Sequence, residues 1–264
     1  MLEPPTTHPL NLATQAVLLY GSWGLTIAVL AIAARLGRQE RTTFYPLMVL
    51  AVLVGAFVEP LYDTATMLYF YSTRGMVTHF TAFGIPQPLW THSGYVVLYA
   101  VPALLLAHQA ARGHLTVRRV YAFAALVFGM SCAFEMIGIN GGTYAYWGPY
   151  TVRVLGYPLI IGLLETAQVI VFAVAAVEIR RRLADPISGA SLFVAFPVIF
   201  LGVNFGAGWP TIVAIHLAAP STAITLAGTL LSTALALILI RAGARLAAAD
   251  QPAGDSMTDV ELRA

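Results

Sequence analysis

Seven long apolar runs, separated by short polar stretches, organise the chain. They fall at roughly 12–34, 43–71, 89–111, 118–140, 154–180, 191–217 and 222–246. Each is long enough to cross about 30 Å of hydrocarbon as a helix. The pattern predicts an all-α, polytopic membrane protein, a bundle of seven transmembrane helices. Residues 1–11 then form a short N-terminal segment, and 12–246 form the membrane domain. Residues 247–264, "AAADQPAGDSMTDVELRA", are polar and acidic, a composition that predicts a disordered tail. The N-terminus lacks a basic region and the apolar run behind it is too long for a signal peptide, so none is expected.

Composition strengthens this picture and charge orients it. Hydrophobic residues make up 59% and charged residues 10%, whereas soluble domains carry about 25% charged residues. All fourteen basic residues are Arg. Twelve of them, including Arg35, Arg38, Arg41, Arg112, Arg118, Arg119 and Arg180 to Arg182, fall in the odd-numbered connections or after the last run. Only Arg74 and Arg153 lie in the even-numbered connections. Cytoplasmic loops carry the excess of positive charge, so the N-terminus is expected outside and the C-terminus in the cytoplasm. A weak recurrence, "FGIP" at 83–86, "LGYP" at 155–158 and "LAAP" at 217–220, is compatible with repeated helical hairpins of the kind transporters use.

Four carboxylates lie away from the arginine-bearing ends of the apolar runs: Glu59 and Asp63 in the second, Glu135 in the fourth and Glu165 in the fifth. A charged residue at the centre of a span costs about 2.5–3.5 kcal/mol on insertion scales, and such residues face a bundle interior or a cavity. No Lys or Arg sits at the centre of a run to neutralise them. Glu59 and Asp63, four apart, share one helix face. Pro60 follows Glu59 directly, so a kink is expected beside that acid. Depth along the runs places Glu59, Asp63 and Glu135 in the outer half, and Glu165 about eleven residues down the fifth, near mid-membrane. Tyr62, Trp90, His92, Tyr95, Tyr144, Tyr146, Asn204 and Trp209 lie at similar outer depths and are the expected substrate-binding wall.

A carboxylic acid in apolar, water-poor surroundings keeps its proton. It can then protonate an alkene or epoxide, and aromatic faces stabilise the resulting carbocation. Glu59 is the first choice for the donor, Asp63 holds it in place, and Glu135 and Glu165 complete the catalytic set. A lipophilic isoprenoid would enter from the bilayer lipids. The absence of Lys excludes a retinal Schiff base. The lone Cys132 excludes a disulfide or paired-cysteine metal site. There is no His-Glu-x-x-His, no aspartate-rich magnesium motif and no nucleophile elbow. Hence no metal, cofactor or nucleic-acid partner is expected, and the oligomeric state is not encoded in any visible pattern.

A resemblance points the same way. Glu135-Met-Ile-Gly138, followed by Gly141-Gly142-Thr-Tyr144-Ala-Tyr146 and by "GYP" at 156–158, resembles the Glu-x-x-Gly…Gly-x-Tyr-x-Tyr pattern of carotenoid 1,2-hydratases. The helix count, the chain length and the acid in the second helix are similar to the integral membrane terpene cyclases of meroterpenoid pathways. "EPLYD", "FTAFGIPQPLW" and "NFGAGWP" resemble a group of bacterial seven-helix membrane proteins. The resemblance covers about residues 43–217 and implies a multi-pass protein of a bacterial cell membrane. It further implies acid-initiated isoprenoid chemistry, cyclisation before hydration, in the isomerase or lyase class, with Glu59 as proton donor. The competing expectations are a proton-coupled small-molecule carrier and a non-catalytic accessory membrane protein.

Overall fold

The computed structural model describes residues 3–113 and 115–249. Seven helices in it are long and apolar enough to cross a membrane: α1 (Leu12–Glu40), α2 (Phe44–Thr66), α3 (Trp90–Ala111), α4 (Val117–Asn140), α5 (Leu159–Arg182), α6 (Ile187–Ile215) and α7 (Thr222–Ala249). The chain is therefore mostly helical and has the make-up of a multi-pass membrane protein. The tail from residue 250 lies outside the described residues, and Ala247 to Ala249 belong to α7 rather than to a tail.

The two long connections, 67–89 and 141–158, carry short strands, and the apolar pattern took those at 68–70 and 157–158 for helix. These are β1 (Leu68–Phe70), β2 (Thr78–Ala82), β3 (Ile85–Pro88), β4 (Tyr144–Tyr146), β5 (Arg153–Val154) and β6 (Tyr157–Pro158). β1 pairs with β4, β2 with β3 and β5 with β6, all antiparallel. Together they cover one end of the bundle, here the capped end. The short connections at 41–43, 112–116 and 183–186 join helices at the opposite, arginine end.

Two expectations are corrected by these strands. The run at 43–71 stops being helix at Thr66, and the run at 154–180 becomes helix only at Leu159. Glu165 is thus six residues from the start of α5, close beneath the cap and not eleven residues down. The recurrence of "FGIP" and "LGYP" also acquires a different meaning. Phe83 and Gly84 have φ of 52° and 75°, and Leu155 and Gly156 have 49° and 82°. Two successive residues with positive φ form the tight hairpin turn that matches strand twist. Both motifs are β-hairpin turns whose proline leads toward the next helix. "LAAP" has no such glycine and forms no hairpin.

Prolines break the helices where the site is built. Pro60 removes an N–H, and its ring would clash with the carbonyl of Ala56. α2 accordingly narrows to a 3-10 turn over Ala56–Val58 before resuming at Glu59. Pro102 has the same effect on the carbonyl of Leu98, and α3 widens to a π-turn over Val96–Ala100. Such turns concentrate at functional sites. α5 is the central helix, with 78% of its most apolar stretch buried, while α1, α4 and α7 are peripheral at 28%. α1 is tied to α3 by a 2.7 Å hydrogen bond between the Ser22 and Ser93 hydroxyls, the kind of polar contact that joins helices inside lipid.

Candidate active site

Beneath the cap lies a cavity of about 30 Å³, space for roughly two water molecules. Its wall contains Glu59, Glu135 and Glu165 from α2, α4 and α5, with no Lys or Arg. Five aromatic residues expected at the site, Tyr62, Trp90, Tyr95, Tyr144 and Tyr146, line it as well. The roof is the β1–β4 pair. Alternate residues of a strand face one way, so Leu68 and Phe70 of β1 and Tyr144 and Tyr146 of β4 all point down into the cavity. Their backbones are paired in register, Leu68 opposite Tyr146 and Phe70 opposite Tyr144.

The three wall carboxylates are held differently. Glu165 is saturated with donors. It accepts hydrogen bonds from the hydroxyls of Tyr99 (2.8 Å) and Tyr157 (3.3 Å) and from Ser131. Glu59 accepts from the Tyr95 hydroxyl. Glu135 leaves its Oε2 without a hydrogen-bond partner in the protein, and so do the Tyr62 hydroxyl and the Trp90 indole N–H. Buried polar groups are nearly always paired, so three unpaired ones around one cavity mark it as built to receive a polar atom. Burial and the carboxyl group of Glu135 raise the Tyr144 and Tyr146 hydroxyls well above the ordinary tyrosine value. These roof hydroxyls therefore remain hydrogen-bond donors.

The local sequence accounts for this arrangement. Gly138 lies one turn after Glu135, and a Cβ there would come within 2.5 Å of the Tyr144 ring. The Glu-x-x-Gly spacing thus leaves the space that lets Tyr144 reach the carbonyl of Glu135, 3.4 Å from its hydroxyl. Arg153 secures the roof from above. It donates to the carbonyls of Tyr146 (2.6 Å) and Gly148 and lies 5.2 Å from the centre of the Tyr150 ring.

Four of the expected residues stand apart from the cavity. Asp63, fully buried, lies one turn after Glu59 and accepts a 2.6 Å hydrogen bond from Gln87 of β3. His92 turns away. Its Nδ1 lies 2.7 Å from the Leu53 carbonyl, and its ring packs on Phe57 and His79. A carbonyl only accepts, so Nδ1 carries the proton, and His92 serves the helix break at Ala56 rather than the cavity. Asn204 donates to the carbonyl of Phe200 within its own helix. Trp209 is 52% exposed on the outside of α6. Nine residues beyond Phe200 is two and a half helical turns, which sets Trp209 on the opposite face from the aromatic core.

Several site residues carry weaker sequence signals. Tyr99 follows Tyr95 by four positions, and Ser131 precedes Glu135 by four, so both share a face with a residue already singled out. Tyr157 lies at the entrance to α5. Phe196 and Phe200 of α6 back the tyrosines, with Phe200 ring centres 5.1 Å from Tyr95, 5.5 Å from Tyr99 and 5.3 Å from Tyr62. Gln168, one turn after Glu165, is buried with both amide atoms unpaired and has no sequence signal beyond its polarity. Toward the arginine end the interior becomes Val49, Val52, Ala100, Ala103, Val169, Ile170 and Phe172, all buried and apolar.

Phe134 and Gly94 bring α4 and α3 together in the side wall of the cavity. Phe134, half-buried on the peripheral α4, lies 3.6 Å from the position a Cβ would take on Gly94. Among the described residues, no three His, Cys, Asp or Glu side chains are grouped so as to hold a metal ion. No family model, curated protein or solved structure matches this chain.

Proposed function

We propose that the protein is a membrane-embedded enzyme that starts carbocation chemistry on an isoprenoid by protonating an alkene or epoxide. The observation that carries this reading is the cavity itself: three carboxyl groups and a wall of aromatic rings, with no cation to pair the acids. Water would quench a carbocation, and a site closed against bulk solvent protects it.

In the proposed reaction the O–H bond of Glu59 breaks and a C–H bond forms at one alkene carbon. The positive charge appears at the neighbouring carbon. Tyr62, Tyr95 and Trp90 face that charge with their rings. Glu165 is fixed in place by its three hydroxyl partners. A C–H bond next to the cation then breaks and its proton passes to Glu135, which completes a cyclisation or a double-bond shift. The proton gained by Glu135 leaves to water when product departs. A cavity of about 30 Å³ is far below the roughly 300 Å³ or more of small-molecule sites. In this reading the cavity opens to admit substrate, with Phe134 parting from Gly94 so that the lipid enters between α3 and α4.

The orientation proposed with this function has the capped end outside and the arginine end in the cytoplasm of a bacterial cell. Twelve of the fourteen Arg residues support it through the excess of positive charge on cytoplasmic loops. The apolar interior beyond Gln168 toward the arginine end speaks against a carrier, because alternating access needs polar groups on both sides of a central site.

The test is direct. Membranes holding the protein are supplied with farnesyl and geranylgeranyl lipids and with their terminal epoxides, and products are followed by mass spectrometry. Products of unchanged mass, with a new carbon ring or with a shifted double bond, are expected from the wild type and none from Glu59→Gln. Equal product formation by the two proteins would remove Glu59 from the donor role, and no product from any such lipid would overturn the reading.

A further inference from the structure

A second cavity, of about 410 Å³, opens at the capped end. Its wall includes Thr6, Thr64, Phe83, Gly84 and His216, all exposed at the protein surface. It is separated from the acid cavity by β1, whose Leu68 contributes to both walls. Asp63 belongs to the wall of this outer cavity and its helical neighbour Glu59 belongs to the wall of the inner one. The two carboxyls interact across a single helical turn.

The environment of Asp63 is that of a group held between two places. Oδ2 accepts from Gln87, but Oδ1 has no partner, and neither does the Oε1 atom of Gln87. The titratable groups that act on it are Glu59 and Glu135, both acids. Among the described residues no basic side chain is hydrogen-bonded to it, so its charge is not fixed by an ion pair. A carboxyl left unpaired in this way can take up a proton and pass it on.

The reaction proposed above creates the need for such a group. Each turnover strips the proton from Glu59 and loads one on Glu135, inside a cavity closed to bulk water. We propose that Asp63 is the proton port of the acid cavity, taking protons from water in the outer cavity and passing them to Glu59. The O–H bond of Asp63 breaks as that of Glu59 forms, and Asp63 regains its proton from water. Asp63 is thus a positioning and relay residue that never touches substrate. The assignment rests on the catalytic reading for its purpose but not for its test.

The test uses hydrogen–deuterium exchange of the Glu59 carboxyl, followed by the infrared C=O stretch of the full-length protein in lipid nanodiscs. The band is identified by its loss in Glu59→Gln. Asp63→Asn should slow its exchange at least tenfold, and an unchanged rate overturns the port. A second variant leaves the buried residues intact: Thr64→Cys in a Cys132→Ala background, labelled with a bulky maleimide at the rim of the outer cavity. Labelling should slow exchange while the unlabelled protein exchanges as the wild type does, and exchange indifferent to the label again overturns the port. With an isoprenoid substrate, Asp63→Asn should keep the first turnover and lose the steady state, whereas loss of both would make Asp63 part of the chemical step and overturn the relay. Slowed exchange in a protein that makes no product would retain the port and dismiss the enzyme. Unchanged exchange with normal turnover would do the reverse.

Discussion

The molecule has two clusters of acid and tyrosine, one at each end, and they are built on opposite terms. At the arginine end Glu40 of α1 meets Arg180 of α5 at 2.9 Å and His108 of α3 at 3.3 Å. It also accepts a 2.7 Å hydrogen bond from Tyr45 of α2. Arg180 in turn donates to the Tyr45 hydroxyl at 2.9 Å and stacks over Phe44 and Tyr45. One carboxylate has two basic partners there, and four helices are clamped by it. At the capped end three carboxyls share a cavity and no base. Paired charge contributes rigidity, whereas unpaired acid, supported only by hydroxyls, keeps the freedom to exchange a proton. The contrast explains why the acids of one end read as chemistry and that of the other as architecture.

The comparison breaks most sharply at the two glutamates themselves. Glu59→Gln should lower product formation by about 10²–10⁴-fold, the usual contribution of a positioned general acid. Glu40→Gln should leave turnover within about twofold, measured by the same mass-spectrometric assay. Next in size is Gly138→Ala, which drives a methyl group into Tyr144 beneath the roof. Overpacking of this kind costs about 1–3 kcal/mol, and thermal unfolding in detergent should show the loss together with reduced turnover. Glu40→Gln itself should cost about 1 kcal/mol in the same unfolding measurement, because partly exposed ion pairs contribute little.

The smallest expected effect concerns pH at the cap. Burial, with the neighbouring His92, lowers His79 from the ordinary 6.5 to about 4. The unfolded chain then takes the proton first as pH falls. The contribution of His79 is complete above pH 6.5 and declines as pH is lowered toward 4. Amide protection in the β2–β3 hairpin, taken relative to the intrinsic exchange rate at each pH, should fall over that window and should not do so in His79→Phe. A cap whose protection is constant there would show that His79 is wetter than its packing on Phe57 and Phe80 indicates.

The seven spans were legible because hydropathy over twenty residues has few other readings. Their ends were not, and Leu68–Phe70 shows why. An apolar, aromatic segment after a helix has the same hydropathy whether it continues the helix or pairs as a strand. The partner that decides, Tyr144 to Tyr146, lies more than seventy residues on, beyond the reach of any local pattern. The same ambiguity hid the β5–β6 hairpin and set Glu165 too deep. Of the site, the acids and the flanking tyrosines were legible because polarity inside an apolar run is conspicuous. Trp209, His92 and Asn204 were misplaced because depth along a span says nothing of the direction a side chain faces. Gly94, Gly138 and Phe134 carry no polar signal at all, and their part is one of shape.

The roof of the cavity divides its labour between backbone and side chain. The frame of β1 and β4 is made of main-chain hydrogen bonds, which any amino acid other than proline can supply. The inward row, Leu68, Phe70, Tyr144 and Tyr146, carries the shape of the space below, while Tyr69 and Ala145 look outward. Replacing the inward row would therefore recast the mould without dismantling the frame. If the proposed chemistry holds, such a roof is a place where descendants of this chain could acquire differently folded substrates one residue at a time.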